Sequence, residues 1–339
     1  MESLSAGDIV ALVGLDDVDI GDTVTDVDHP EAMPPVKIDE PTLDMVFRIN
    51  DSPFTGQDGK PLTSRELKDR LDKELQRNIA LRVRPSDRGE EYIVSGRGLL
   101  HLTILLETIR REGYELSVGK PRVIIREIDG VKMEPVEHLV VDVPGNHVGS
   151  VMAQVLERQG QLMSMDSGES LAHLEFTIPA RGLIGLRTRL MTATSGMAIV
   201  HHTFHEYQPV KPALPSRLNG VMISTETAKA TAYALEDLQE RGVMFVAPME
   251  PVYEGQLVAQ HVRDNDLPVN VCREKKLTNI RNANAEIKTV LKQPRQFDLE
   301  AALEYIEDDE LVEVTPTAIR LRKILLKESD RKKAGRRGG

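Results

Sequence analysis

Between His261 and Arg295 the chain carries eight Lys or Arg against four Asp or Glu, in a protein of formal net charge −11. The cations are Arg263, Arg273, Lys275, Lys276, Arg281, Lys288, Lys292 and Arg295, with Asn279, Asn282 and Asn284 among them. Guanidinium and ammonium groups at this density, interleaved with amides, suit the sugar–phosphate backbone of RNA. The stretch 263–285 shows no clear periodicity, and long irregular segments inside compact domains usually bind something or are disordered. Arg263, Arg273, Lys275, Lys276, Asn279, Arg281, Lys288 and Lys292 are therefore candidate RNA contacts, on a loop expected to be poorly ordered in the free protein. A solvated surface loop has the same composition, so the residues alone leave both readings open.

Residues 320–339 add nine Lys or Arg against two acids and end RKKAGRRGG. Such a tail is expected to be disordered and to bind RNA through counterion release, which makes Arg331, Lys332 and Lys333 candidates. A solubilising tail is the alternative. Arg181, Arg187 and Arg189 surround an expected helix start next to Gly182 and Gly185. They form a secondary candidate patch for phosphate at a helix N-terminus, or simply exposed charges. With no Trp and 4% aromatic residues, base stacking is not expected to dominate.

The net charge does not oppose this reading. Residues 1–60 hold fourteen acids and three bases, which accounts for the whole −11 and leaves residues 61–339 neutral with local basic blocks. A focused patch, not the total charge, decides phosphate binding.

Other chemistries fail on spacing. GYELSVGKP (113–121) looks like a phosphate loop, but five residues separate the glycines where four are needed, and Pro121 stands where the magnesium-binding hydroxyl belongs. A strand-to-strand turn is expected there instead. His201, His202 and His205 fall on opposite faces of a strand, and no HExxH or paired Cys supports a metal site. His101 sits beside Leu100 and Leu102 as a core or supporting residue. Cys272, the single cysteine, forms no internal disulfide. No nucleophile–base pair stands out, so no catalysis, cofactor or metal is expected of this chain.

The elements that must position these groups follow from periodicity. A chain of 339 residues, 40% apolar, holds two to four domains. It has no bilayer-length apolar run and no signal pattern, so a cytoplasmic, membrane-independent protein is expected. Asp8–Val13 and a short partner read as strands. From residue 40 the order is strand Leu43–Ile49, a helix opened by the capping box Thr63-x-x-Glu66, strands Ile79–Val83 and Tyr92–Val94, helix Leu99–Arg111 and strand Leu116–Val118. Residues 135–210 repeat this βαββαβ order, from His138–Val143 through a helix near Leu183–Thr194 to Ala198–Phe204. Beyond 213, strands at Val221–Ser224, Val243–Val246 and Gln256–Val262, helices at Thr227–Arg241 and from Asp298, and strands Leu311–Val314 and Ala318–Leu321 make a mixed α/β unit.

The segment SGRGLLHLTILLETIRREGYELSVGKPRVIIRE (95–127) resembles the second half of domain III of elongation factor G, a translational GTPase. EHLVVDVPGNHVGSVMAQVLERQG (137–160) resembles domain V, and AGDIVALVGLDDVDIGDTVTD (6–26) the tail of the domain II barrel. Only about eight residues (128–135) bridge the two units, too few for the domain IV of that factor. PARGLIGLRTR (179–189), REKKLTNIRNAN (273–284) and the basic tail resemble the BipA/TypA family, so the likeness spans nearly the whole chain.

The resemblance implies an α+β chain: 1–39 a β-barrel remnant, 40–128 and 135–212 ferredoxin-like domains III and V, 213–328 a family-specific mixed α/β domain, and 329–339 a basic tail. It implies a start at an engineered Met1 and a G domain, with its GTP and Mg²⁺, in a preceding part of the full-length protein. The implied partners are the ribosome, its 23S rRNA and ribosomal proteins, and the acceptor arm of A-site tRNA. Domain III would face the small subunit and domain V the stalk base. Implied roles are translation regulation, 50S assembly, stress and cold response and virulence; a monomer binding no DNA is expected. A LepA-like factor and a protein-binding module recruited through the acidic N-terminal part are the alternatives.

Overall fold

The computed structural model describes residues 5, 7–14, 18, 20–34, 40–87, 89–168, 170–212, 217–274 and 291–337. The first unit holds strands β1 (Leu43–Ile49), β2 (Arg82–Pro85), β3 (Glu91–Gly96) and β4 (Tyr114–Gly119), with helices α1 (Ser64–Leu75) and α2 (Leu99–Arg111). The four strands pair antiparallel in the order β4-β1-β3-β2, the split β-α-β arrangement. At the start of α1 the Glu66 amide donates to Thr63 Oγ1 at 3.2 Å, and the Thr63 amide donates back to the Glu66 carboxylate at 2.9 Å. That reciprocal cap satisfies two otherwise orphaned donors. Leu102, Leu105, Leu106 and Ile109 form the buried stripe of α2.

The second unit repeats the plan. Strands β5 (Val131–Val143), β6 (Gln161–Ser167), β7 (Ala172–Pro179) and β8 (Ile199–Pro209) lie in the order β8-β5-β7-β6, with α3 (Val148–Glu157) on one face. The second helix, expected as one piece, is broken into α4 (Ala180–Leu183) and α5 (Leu186–Ala193), because Gly185 takes φ 75° between them.

The third unit has β9 (Val221–Ser224), α6 (Ala232–Leu238), β10 (Gly242–Met244), β11 (Leu257–His261) and β12 (Leu267–Val269), in the sheet order β10-β11-β9-β12. The helix expected from Thr227 starts only at Ala232. The Thr231 hydroxyl accepts from the Ala234 amide at 3.1 Å and caps it there, while Ala228–Lys229 pair with Pro251–Val252. The segment expected to be irregular from Arg263 contains β12, which pairs parallel with β9.

After helix α7 (Leu299–Tyr305) the chain returns to the first unit. Strand β13 (Glu310–Val314) pairs antiparallel with β4, from Leu311 opposite Gly119 to Val314 opposite Leu116, and β14 (Ile319–Lys323) pairs with β13. The first sheet thus runs β14-β13-β4-β1-β3-β2. One buried cluster joins Leu67, Leu106 and Leu116 of the first unit to Val221, Leu257, Leu303 and Val312. The basic tail expected to be disordered is helical over α8 (Glu328–Arg337). The strand expected at Asp8–Val13 does not form: among the described residues before Leu43 there is no strand, and Ile9, Val13 and Val27 are almost fully exposed.

The seam between β4 and β13 is polar and buried. Buried Glu115 accepts from Asn50 Nδ2 at 3.0 Å and from the amides of Gly56 and Gly59 at 3.0 and 2.7 Å. Buried Glu313 accepts from Asn50 Nδ2 (3.3 Å), Ser52 Oγ (2.9 Å), Tyr253 Oη (2.5 Å) and Arg320 Nη1 (3.2 Å). A Cβ on Gly59 would lie 2.5 Å from Pro316 Cδ and 2.9 Å from Glu115 Cγ. Gly59→Ala is expected to cost about 1–3 kcal/mol by overpacking, read as a lowered urea midpoint. An unchanged midpoint would show that the loop yields.

Candidate nucleic-acid interface

Helix α6 organises the basic surface of the third unit. Its cap residue works twice, since the Thr231 hydroxyl also donates to the Arg273 carbonyl at 2.6 Å. The Arg273 guanidinium pairs with Asp237 and lies 5.2 Å from the Tyr233 ring centroid. One turn on, the Lys292 amide donates to Gln239 Oε1 at 3.2 Å. Past the helix end, the Val262 amide donates to the Arg241 carbonyl at 2.9 Å, which brings Arg263 alongside. The Arg295 amide donates to the Met244 carbonyl at 2.8 Å, and its guanidinium stacks over Phe297 and Tyr305 at 4.5 and 5.3 Å. Arg273 is thus tethered at the capped start of α6, Lys292 and Arg241 just past its end with Arg263 next to them, and Arg295 on the following strand, and all five are exposed.

Arg263, Arg273 and Lys292 were legible in the sequence as candidates. Arg241 was not, because it reads as an ordinary helix residue before Gly242; the glycine stop behind it was the one signal. Lys275, Lys276, Asn279, Arg281 and Lys288 lie outside the described residues, as does the part of the expected loop disorder that concerns 275–285.

The C-terminal cations divide into two groups. Lys332 and Lys333 are exposed on α8, where Lys332 pairs with Glu328 at 2.5 Å and Lys333 with Asp330 at 3.5 Å. Arg331 turns inward and donates to the carbonyls of Leu325 (2.8 Å) and Leu326, so it anchors the helix. Burial holds its pKa below the usual guanidinium value. Arg320, Arg322 and Lys323, counted with the tail by sequence, are in β14 and engaged in ion pairs with Glu313, Asp51 and Glu310.

The secondary patch changes in the same way. Arg181 donates twice to buried Glu134 (2.6 and 3.1 Å), and to Gln159 and the Lys211 carbonyl at 3.0 Å each. Its Nε and Nη2 are engaged inside the second unit, which holds the guanidinium against Glu134. Arg187 and Arg189 are exposed in the first turn of α5. Beneath them Arg158 donates to the carbonyls of Gly182 and Ile184, and burial, with the charge of Arg189, pushes its pKa down to about 10.

The remaining tempting groups have local partners. Lys120, the lysine of the phosphate-loop look-alike, lies 2.5 Å from Glu307. His101 is 2.7 Å from Asn78, and burial lowers its pKa. His202 is 2.5 Å from Glu137. His173 lies 2.6 Å from Asp142 and 3.2 Å from Glu175, whose carboxylates raise its pKa. Among the described residues, no three His, Cys, Asp or Glu side chains are arranged to hold a metal ion. No helix among them is long and apolar enough to cross a membrane.

Comparison with known proteins places family descriptions on two of these units. Residues 219–328 match the TypA/BipA C-terminal domain, and residues 131–218 match the elongation factor G C-terminus. A protein named large ribosomal subunit assembly factor BipA from Bacillus subtilis (strain 168) is 48% identical over 339 residues, covering 99% of this chain and 55% of the relative. The proteins of that name from Synechocystis sp. (strain ATCC 27184 / PCC 6803 / Kazusa) and Escherichia coli (strain K12) are 49% identical over 325 residues and 50% over 333. Those alignments cover 96% and 98% of this chain, and 54% and 55% of the relatives. The chain spans about half the length of the curated relatives it matches.

Proposed function

We propose, from the match of residues 219–328 to the TypA/BipA C-terminal domain and of 131–218 to the elongation factor G C-terminus, that the chain is the RNA-binding part of a ribosome-associated translational GTPase acting in large-subunit assembly. The observation that carries the reading is the set of exposed cations tethered to α6 and the strand after it, inside the unit that matches TypA/BipA. Point charges and forks tethered through backbone hydrogen bonds hold their spacing and read a phosphate backbone by shape. Arg241, Arg263, Arg273, Lys292 and Arg295 form the described part of that surface. Lys275, Lys276, Asn279, Arg281 and Lys288, outside the described residues, are proposed as further contacts on their sequence alone, as are the exposed Lys332 and Lys333 of α8, with Arg187 and Arg189 as a second contact.

The proposed partners are 23S rRNA, the acceptor arm of A-site tRNA and ribosomal proteins, in the cytoplasm. GTP and Mg²⁺ are assigned to a G domain of the full-length protein outside these residues. Stress and cold responses and virulence regulation would follow from ribosome binding.

Pelleting with 50S subunits and 70S ribosomes across a salt series tests this reading. Wild-type binding is expected to fall steeply with salt. The triple variant Arg241→Ala, Arg263→Ala, Lys292→Ala should bind more weakly and lower the log–log salt slope by about 2–3, since each phosphate left without its cation takes away about 0.7–0.9. Salt-insensitive wild-type binding, or a slope unchanged in the variant, would contradict an RNA contact at this surface.

A further inference from the structure

We infer that the described structure from β1 onward behaves as two bodies that do not follow chain order: the first and third units form one, and the second unit is an excursion between them. Three observations place the first and third units together. Strand β13 completes the first sheet by pairing with β4. The buried cluster under that sheet continues without a break into Val221, Ile223 and Leu257 of the third unit. Tyr253, from the third unit, donates to the same Glu313 carboxylate that receives Asn50 and Ser52 of the first. Lys120 with Glu307 and Arg122 with Asp308 close the rim at 2.5 and 2.9 Å.

The second unit has a core of its own, built from Leu139, Val155, Phe176, Leu190 and their neighbours. What joins it to the larger body is thin and mostly polar. Ile184 packs on the shared core, Thr188 and Arg158 face Glu304 across the seam, and Arg126 reaches Glu40 and the Tyr207 ring. Small polar seams of this kind permit relative motion. The entry hinge is short: the Ile124 amide donates to the Thr42 carbonyl of the larger body, while Arg126 is already paired with Met133 of the second. Only Ile125, half exposed, lies between. On the return, Lys211 is held by Glu134, and Arg217 by Glu307 and Glu310 of the larger body.

Native-state hydrogen exchange on the whole chain, followed along a denaturant series, tests this division. Amides of β1, β4, β9, β11, β13 and β14 should lose protection together, and those of β5, β7 and β8 in a separate step. Tyr253→Phe removes one hydroxyl from the third unit and keeps its volume. It should lower protection in β1 and β4 as much as in β13, about tenfold or more, since that bond ends on a carboxylate. Glu134→Gln should act on β5, β7 and β8 alone. Overturning results would be β13 and β14 opening at a lower denaturant concentration than β1 and β4, a Tyr253→Phe effect confined to the third unit, or a single step for all strands. Each readout is taken on the free protein, so it is independent of whether RNA binds.

Discussion

Glu313→Ala is expected to destabilise the larger body by about 3–5 kcal/mol, the cost of breaking a buried charged pair from one side. The carboxylate is inaccessible to solvent and accepts from four side chains on three separate segments. Alanine leaves Asn50, Ser52 and Tyr253 with unmet donors and Arg320 with Asp58 as its remaining carboxylate partner at 2.5 Å. Each orphaned buried donor costs about 1–3 kcal/mol, and relaxation or entering water recovers part of that. Glu313→Gln keeps one acceptor oxygen and should fall between wild type and alanine. Urea unfolding followed by tyrosine near-ultraviolet dichroism measures both variants. A loss under about 1 kcal/mol for alanine would show that water replaces the carboxylate at little cost.

The second large effect belongs to Lys323, whose ammonium is nearly inaccessible and faces Asp266, Asp309 and Glu310 at 2.7, 2.8 and 3.0 Å. Arg217 forks onto the same Glu310 at 2.9 and 3.0 Å. Lys323→Met is expected to cost about 3–5 kcal/mol at neutral pH, because it strands these carboxylates together. The pH dependence follows from the shifts. Burial alone lowers the lysine pKa, yet the three carboxylates outweigh it and raise the value. Its contribution is therefore complete below the unfolded lysine pKa of about 10.4 and is lost only as pH rises through the higher folded value. Burial raises Glu310, but Arg217 and Lys323 outweigh it and hold it below 4.5. That contribution is present above pH 4.5 and disappears as pH falls through the depressed value. Wild-type stability should fall steeply on the acid side of pH 4.5. In Lys323→Met the acid limb should flatten, because protonating the carboxylates then relieves repulsion. Parallel acid limbs in the two proteins would remove Lys323 from the explanation.

The local elements were largely legible in the sequence. Helix α2 is bounded by Gly98 and Gly113, its apolar spacing is unambiguous, and it forms where the periodicity puts it. The Thr63 cap and the repeated βαββαβ order belong to the same class, since each depends on neighbours within a few residues. What sequence periodicity could not supply was the partner of a strand. Leu311–Val314 is short and rich in β-branched residues like many strands, but nothing in it says that it pairs with β4 rather than within its own unit. The same limit governs the site. Arg181 and Arg187 are identical in type and lie six positions apart; the buried Glu134, brought in by β5, together with Gln159 and the Lys211 carbonyl, separates a tethered guanidinium from an exposed one. Arg241 shows the reverse case, a cation with no motif around it that the third unit's turns place beside Arg263.

The pairing of β13 with β4 also bears on how the chain is made. Arg110 donates to the Thr315 carbonyl across 205 positions, and Asn50 to Glu313 across 263. During synthesis at about 5–20 residues per second, the edge of the first sheet waits roughly 10–40 s for the strand that covers it. For that interval β4 is an open edge with an exposed ladder, and its own Glu115 and Ser117 lack their later cover. Vectorial folding from the N-terminus therefore cannot finish the first unit before the last one. A nascent chain halted shortly before residue 310 would expose that edge, and its capture by a chaperone or by a neighbouring nascent chain becomes a competing fate.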